Sequence, residues 1–342
     1  MSKIIIIATK RYSINACDFD LMFRSTEHEV VGVLWHSSIA RKGWFKTGKY
    51  KPSVRNSIVT KLTDLPNRSW SSHSQLADQI GKLDSDYICL GNGNDDTGKW
   101  LQNKIKAKFL FSEYGWLPWN ECFYIDDQGA GPLSSIRQAG ITELRGAPDN
   151  PVEYKYIKNK WNVGSAVGYR DYIYVPLQVD TPTSDGKPDF KFRFTPFKNN
   201  HQFLEHIRKV VPPGIKILVK NHPANNKPTR VPSGMVDISK AKINKLDLYQ
   251  HMKAMVAINS TSVLEAMLVE RPVFTYGEDI FTQKGLTFEK VADRAQFASL
   301  LRCEPPKDAR AFINRLLERQ AYRHRLRDDD GYRKNHYWVR TL

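Results

Sequence analysis

The sequence predicts an α/β fold of two Rossmann-like, doubly wound domains. Three observations lead there. Short apolar runs recur along the chain with amphipathic or polar stretches between them, as a parallel sheet with helical crossovers requires. The length, 342 residues, accommodates two domains of ordinary size. Apolar residues make up 41% of the chain and aromatics 11%, enough to fill two cores.

The elements follow in order. Ile4-Ile5-Ile6-Ile7 lies in a run over 3–9 that reads as a first buried strand. It is too short for a signal peptide and lacks a small-residue cleavage site. Residues 29–35 read as a parallel partner, with a helical linker between the two. Residues 74–83 read as a helix and Asp86–Leu90 as a strand. The turn Gly91–Asp96 that follows does not have the glycine spacing of a dinucleotide fingerprint. A helix over 97–107 and a strand over 108–111 complete the first series. The stretch 112–131 combines carboxylates, glycines and aromatics, and is too irregular for a core element. Residues 134–170 are poorly periodic, and the breakers Gly146–Pro151 and Gly164–Gly168 place a crossover near 145–171.

A second series begins with the strand Tyr172–Gln178, followed by a polar linker over 180–190. A helix over 200–210 leads to the strand 215–219. A helix near 245–253, a strand over 255–258, a hydroxyl-rich turn with its helix, and a strand over 272–276 complete it. The tail is helical and rich in arginine. The expected domains are Rossmann-like units over 1–150 and 171–300, and a basic helical tail over 301–342.

Composition narrows the function classes. No apolar run reaches the roughly 18 residues of a membrane-spanning helix. The four cysteines, Cys17, Cys89, Cys122 and Cys303, form no CxxC pair, so a reduced compartment is expected, with neither a disulfide framework nor a zinc site. The net charge of +16 calls for an anionic partner: nucleic acid, a phospholipid surface or a phosphorylated substrate. Basic and aromatic residues interleave in Arg41, Lys42, Trp44, Lys46, Lys49 and Tyr50, a pattern that suits a phosphate backbone, stacked bases or a membrane interface. A solvated loop has the same composition.

Two strand ends carry the sharper chemistry. Asn259-Ser260-Thr261-Ser262 lies on a strand-to-helix turn, where hydroxyls and backbone N–H groups suit a phosphate. Any one of these hydroxyls is equally an ordinary helix cap. Lys220-Asn221-His222-Pro223 ends another strand, and offers a fixed charge and a ring donor to the same anion. Gln178 ends a third strand and joins the donor-binding set. Glu265, one turn into the helix, is a candidate for ribose hydroxyls. In the first half, Glu113, Asp126 and Asp127 are candidates for a general base or nucleophile, and turn and helix caps are the alternative roles.

The order of these motifs resembles the bacterial capsule-polysaccharide biosynthesis glycosyltransferases of the Kdo-transferase type, and more distantly the bacterial sialyltransferases. The matching stretches are Glu113–Pro118, Tyr124–Gly129, Lys220–Pro223, Asn259–Ala266 and Arg271–Gly277. The resemblance implies a GT-B fold and a nucleotide-sugar donor, CMP- or UDP-linked, held by the C-terminal domain. It implies that His222 and Ser260, Thr261 and Ser262 contact the donor phosphate, and that Glu113 or Asp126 performs the chemistry. An Asp nucleophile would give a retaining double displacement. No required metal or other cofactor is expected.

The expected acceptor is anionic: a cell-surface glycan or lipid-linked glycan, with a phage-type transfer to hydroxylated pyrimidines in duplex DNA as the alternative. A non-enzymatic nucleic-acid-binding protein on a decayed transferase fold is the third reading. The expected location is cytoplasmic, with peripheral contact at the inner membrane face through the basic tail, or host cytoplasm for a phage-encoded chain.

Overall fold

The computed structural model describes residues 3–8, 22, 29–35, 85–91, 101–118, 121–180, 190–225, 227–329, 331–332 and 336–338. The strands are β1 (Lys3–Ala8), β2 (Glu29–Trp35), β3 (Tyr87–Gly91), β4 (Lys108–Tyr114), β5 (Cys122–Asp126), β6 (Tyr172–Pro176), β7 (Ile217–Lys220), β8 (Val236–Asp237), β9 (Met252–Ala257), β10 (Val273–Thr275), β11 (Phe288–Glu289) and β12 (Gln320–Tyr322). The helices are α1 (Ser135–Gln138), α2 (Ile141–Leu144), α3 (Pro151–Trp161), α4 (Asn200–Val210), α5 (Lys245–His251), α6 (Ser262–Leu268), α7 (Arg294–Leu300), α8 (Ala309–Arg319) and α9 (Arg323–Asp328). They form two compact units, 1–135 with 318–342, and 136–317.

The first unit is a six-stranded sheet in the order β12-β5-β4-β3-β1-β2. β1 pairs in parallel with β2 and β3, and β3 with β4. β5 then runs antiparallel to β4, and β12 antiparallel to β5. The stretch 112–131, expected to be irregular, therefore holds a core strand, and every residue of β5 is buried. Gly115 makes the return possible. A Cβ on it would lie 2.2 Å from Cys122 Sγ, and its N–H donates to Cys122 O at 2.9 Å.

The expected tail over 301–342 is not a unit of its own. α8 lies mostly in the second unit, and β12 adds an edge to the first sheet, with Gln320 opposite Tyr124. Gln320 is buried, and its Oε1 accepts from the N–H groups of Trp116 and Leu117 at 3.0 and 3.1 Å. The sequence thus returns to pin the turn between β4 and β5.

The second unit is a six-stranded sheet in the order β11-β10-β9-β6-β7-β8, parallel throughout. Its strands are apolar on both faces, as a covered parallel sheet demands. α4 turns Phe203, Leu204, Ile207 and Val210 inward onto Ile173, Val175, Val219 and Val256. Asn199 caps α4 by accepting from Gln202 N–H at 3.0 Å.

The expected crossover over 145–171 contains the helix α3. Asn150 caps it, Pro151 occupies its first position, and Tyr154, Ile157 and Trp161 face inward. Of the helix expected over 97–107, the described part is helical only at Leu101 and Gln102. The helix expected over 74–83, the linker helix before β2 and the segment Arg41–Tyr50 lie outside the described residues.

Candidate active site

Because every strand of the second sheet points the same way, their carboxyl ends share one edge. β9, β6 and β7 are neighbours in that order. Gln178 follows β6, Lys220 ends β7 with Asn221 and His222 beyond it, and Asn259 to Ser262 follow β9. Carboxyl edges are where open α/β sheets bind ligands.

The floor of this edge is a buried amide network. Gln178 Nε2 donates to Asn259 Oδ1 at 3.0 Å. The backbone oxygen of Gln178 accepts from Asn200 Nδ2 at 2.9 Å and Asn225 Nδ2 at 3.1 Å. Asn221 is buried too. Its Oδ1 accepts from Thr229 N–H at 2.8 Å, and its Nδ2 donates to Thr229 O at 3.2 Å and Ser239 Oγ at 3.3 Å. Asn221 therefore fixes the loop after β7, and Gln178 ties the end of β6 to the end of β9.

His222 is half-buried, and its Nδ1 accepts from Ala224 N–H at 3.2 Å, which leaves the proton of a neutral ring on Nε2. Lys220 is half-buried, and its ammonium has no hydrogen-bond or ion-pair partner among the described residues. Burial pushes its pKa down, as does the nearby Lys245 charge, while Glu265 pulls it back up. A partly desolvated, unpaired ammonium is well placed to gain from an arriving anion.

The hydroxyl turn is divided in its duties. Ser260 Oγ accepts from Ser262 N–H at 3.2 Å, so it serves the turn itself. Thr261 occupies the cap position of α6 with no side-chain cap bond. The Ser262 hydroxyl bonds to Tyr249. Glu265 is buried, and its carboxylate accepts from Lys245 Nζ at 2.7 and 3.0 Å and from the Tyr249 hydroxyl. This internal ion pair holds Lys245 beside Lys220. Burial, then the Glu265 charge, keeps the Tyr249 phenol protonated far into the alkaline range.

Lys245, Tyr249, Asn200, Asn225 and Ser239 are site-edge residues that sequence reasoning missed. The first two stand four apart on α5 and so share a helix face, a readable signal once Glu265 is known to face them.

In the first unit Glu113 and Asp126 lie on neighbouring strands, two register positions apart. Glu113 lies near the carboxyl end of β4, half-buried, with Oε1 accepting from Tyr114 N–H at 2.8 Å. β5 is antiparallel to β4, and Phe111 pairs with Asp126. The chain after Asp126 therefore runs toward the opposite edge of the sheet.

Asp126 is buried and fully engaged. Its Oδ1 accepts from Gln128 N–H at 2.9 Å, Gly129 N–H at 3.1 Å and Ser135 N–H at 2.9 Å, and its Oδ2 from Ser135 Oγ at 2.7 Å. Burial raises its pKa and these donors lower it. This carboxylate holds the loop over 128–135 in place, and the net effect of its surroundings is a raised pKa. Asp127, the next residue, is exposed. Among the described residues no cluster of three His, Cys, Asp or Glu side chains could hold a metal ion, and no helix is long and apolar enough to cross a membrane.

Comparison with known proteins bears on both units. Residues 165–321 match the family model described as capsule polysaccharide biosynthesis protein. No curated protein matches the chain. Among solved structures, KpsC of Thermosulfurimonas dismutans is similar in two forms. Its beta Kdo 2,7 transferase is 14% identical, with 94% of this chain and 92% of that chain covered at a TM-score of 0.52. Its beta Kdo 2,4 transferase is 13% identical, with 93% and 91% covered at a TM-score of 0.51. At these identities the likeness is one of fold: two Rossmann-like domains over nearly the whole chain.

Proposed function

Because the chain resembles the capsule-polysaccharide biosynthesis glycosyltransferases of the GT-B fold, we propose that it moves a sugar from a nucleotide-sugar donor to an anionic glycan or lipid-linked acceptor. One observation supports this reading above the rest. Gln178, Lys220, His222 and the turn Ser260–Ser262 stand on three adjacent strand ends of one sheet, around an ammonium that lacks a partner among the described residues.

The chemistry follows from those groups. Transfer leaves a nucleotide phosphate carrying extra negative charge as the sugar–oxygen bond breaks. Lys220 answers that charge, and Nε2–H of His222 donates to a phosphate oxygen. The Thr261 hydroxyl, which makes no cap bond, is a further donor. The amide floor keeps these groups from relaxing away, so stabilisation is prepared before the reaction begins. Glu113 is the carboxylate of the first unit that stays at a carboxyl edge, and it serves as the base that takes the acceptor's proton, or as the nucleophile in a double displacement.

A thermal-shift screen against CMP, UDP, GDP and their sugars tests the donor site. Stabilisation by one nucleotide class, lost in His222→Ala, is expected. No stabilisation by any of them would overturn the reading. The +16 charge keeps duplex DNA in view as an acceptor. Transfer of label to hydroxymethylated DNA, with none to a lipid-linked glycan, would change the acceptor and leave the donor site standing.

A further inference from the structure

The first unit contains a cavity of about 610 Å3 that the proposed transfer does not use. Its walls include Lys108, Asp127, Gln128, Arg319, Tyr337 and Trp338. On β4 its walls run from Lys108 to Leu110, so its nearest wall on that strand stands three residues, about 10 Å, before Glu113. Its size suits a ligand of one or two sugar rings.

Three features define what would fit. First, Arg319 supplies a charge available to a ligand. Its Nε is buried without a hydrogen-bond partner among the described residues, and its guanidinium stacks 5.1 Å from the centre of the Tyr337 ring. A planar fork in that state matches a carboxylate or phosphate group. Second, Tyr337 and Trp338 offer flat apolar surface beside that charge. Third, Asp127 and Gln128 are exposed and form a polar wall, and this wall is held in place. Asp126 accepts from the backbone N–H of Gln128 within it and from those of Gly129 and Ser135 after it.

The carboxylate of Asp127 decides between ligand classes. It accepts hydrogen bonds from hydroxyls, which a sugar ring presents around its whole rim and a DNA phosphodiester backbone does not. We propose that this cavity is a saccharide site for an acidic sugar. The sugar's anionic group pairs with Arg319, its C–H face lies on Tyr337 and Trp338, and its hydroxyls bond to Asp127 and Gln128. Such a site would anchor a charged glycan away from the reacting end.

The test is a calorimetric titration of the full chain with glucuronic-acid oligomers, neutral glucose oligomers and a phosphodiester oligonucleotide. Saturable binding of the acidic oligomer, at least tenfold tighter than the neutral one, is expected. Arg319→Gln and Tyr337→Leu should each weaken it at least tenfold, and His222→Ala should leave it intact. Asp127→Asn changes only an exposed group, and should weaken binding severalfold even if the other variants fold poorly.

Equal affinity for acidic and neutral oligomers would overturn the proposal. So would binding indifferent to Arg319, Tyr337 and Asp127, or an oligonucleotide that binds as tightly and answers to the same variants. The readout is binding without transfer, so this result is separable from the fate of the nucleotide site.

Discussion

At the scale of the residue, the two groups that matter most are a lysine without a partner among the described residues and an aspartate with several. Lys220 carries its charge in a half-buried setting, and burial with Lys245 lowers its pKa from the ordinary lysine value. The folded state therefore releases this proton at a lower pH than the unfolded chain does. Where the two differ, the unfolded chain holds more protons, so stability rises with pH between the lowered folded pKa and about 10.5. Lys220→Met should remove that rise, which urea melts at pH 7 and pH 10 would show. The same substitution should cost at least tenfold in affinity for the nucleotide that stabilises the protein. Unchanged nucleotide affinity would remove Lys220 from the site.

Asp126 behaves in the opposite way. Replacing it by Ala strands buried donors of Gln128, Gly129 and Ser135, each costing about 1–3 kcal/mol. The expected result is a destabilised first unit, seen as a lower melting temperature, with nucleotide stabilisation of the second unit retained. If the variant melts normally but cannot transfer sugar, Asp126 is a chemical group after all.

At the scale of the element, glycines explain two motifs whose residues the sequence displayed without their reason. Gly115 admits the return of β5, and Gly277 makes room at the amide floor. A Cβ on Gly277 would meet Ile258 Cγ2 at 2.8 Å and Asn259 Nδ2 at 3.1 Å. Asn259 is the partner of Gln178, so Gly277→Ala should push on the amide floor as well as the core. Overpacking of this kind costs about 1–3 kcal/mol. A weaker nucleotide shift in the variant, with the full shift kept after Gly214→Ala, which strains a left-handed glycine elsewhere in the unit, would locate the effect at the floor.

The apolar strands and the strand-end motifs of the second unit were legible because each has a plain period or a plain run. β5 was not. Cys122-Phe123-Tyr124-Ile125 is an apolar run, but Pro118 and Gly115 before it and the acidic pair after it read as loop. α3 was hidden by Asn150-Pro151, which breaks a chain or caps a helix with equal ease, and by the lysines Lys155, Lys158 and Lys160 on its outer side. The direction of β5 lies beyond any local pattern, because pairing is a long-range property. The Lys245–Glu265 pair was invisible for the same reason: twenty residues part its members in sequence.

At the scale of the whole molecule, the excess of 52 Lys and Arg over 36 Asp and Glu is the property that neither sheet explains. A charge of this size raises the local concentration of anionic partners, and it does so less as salt rises. The basic-aromatic segment Arg41–Tyr50 is where the sequence concentrates it. A variant with Arg41, Lys42, Lys46 and Lys49 all changed to Ala should raise KM for an anionic acceptor and leave kcat and nucleotide stabilisation unchanged, since these groups would bind and not react.

The salt dependence then separates the acceptors. If the partner is duplex DNA, each phosphate left without its cationic side chain flattens the plot of log K against log salt by about 0.9. Removing all four cations should therefore reduce the slope by about 3.6. If the partner is a glycan on an anionic lipid, vesicle binding should weaken by about 1 kcal/mol for each cation removed, with no such slope on DNA. A variant with the parent's KM and salt response on both acceptors would remove the segment from acceptor binding, and the search would pass to the arginines of α8 and the residues after it.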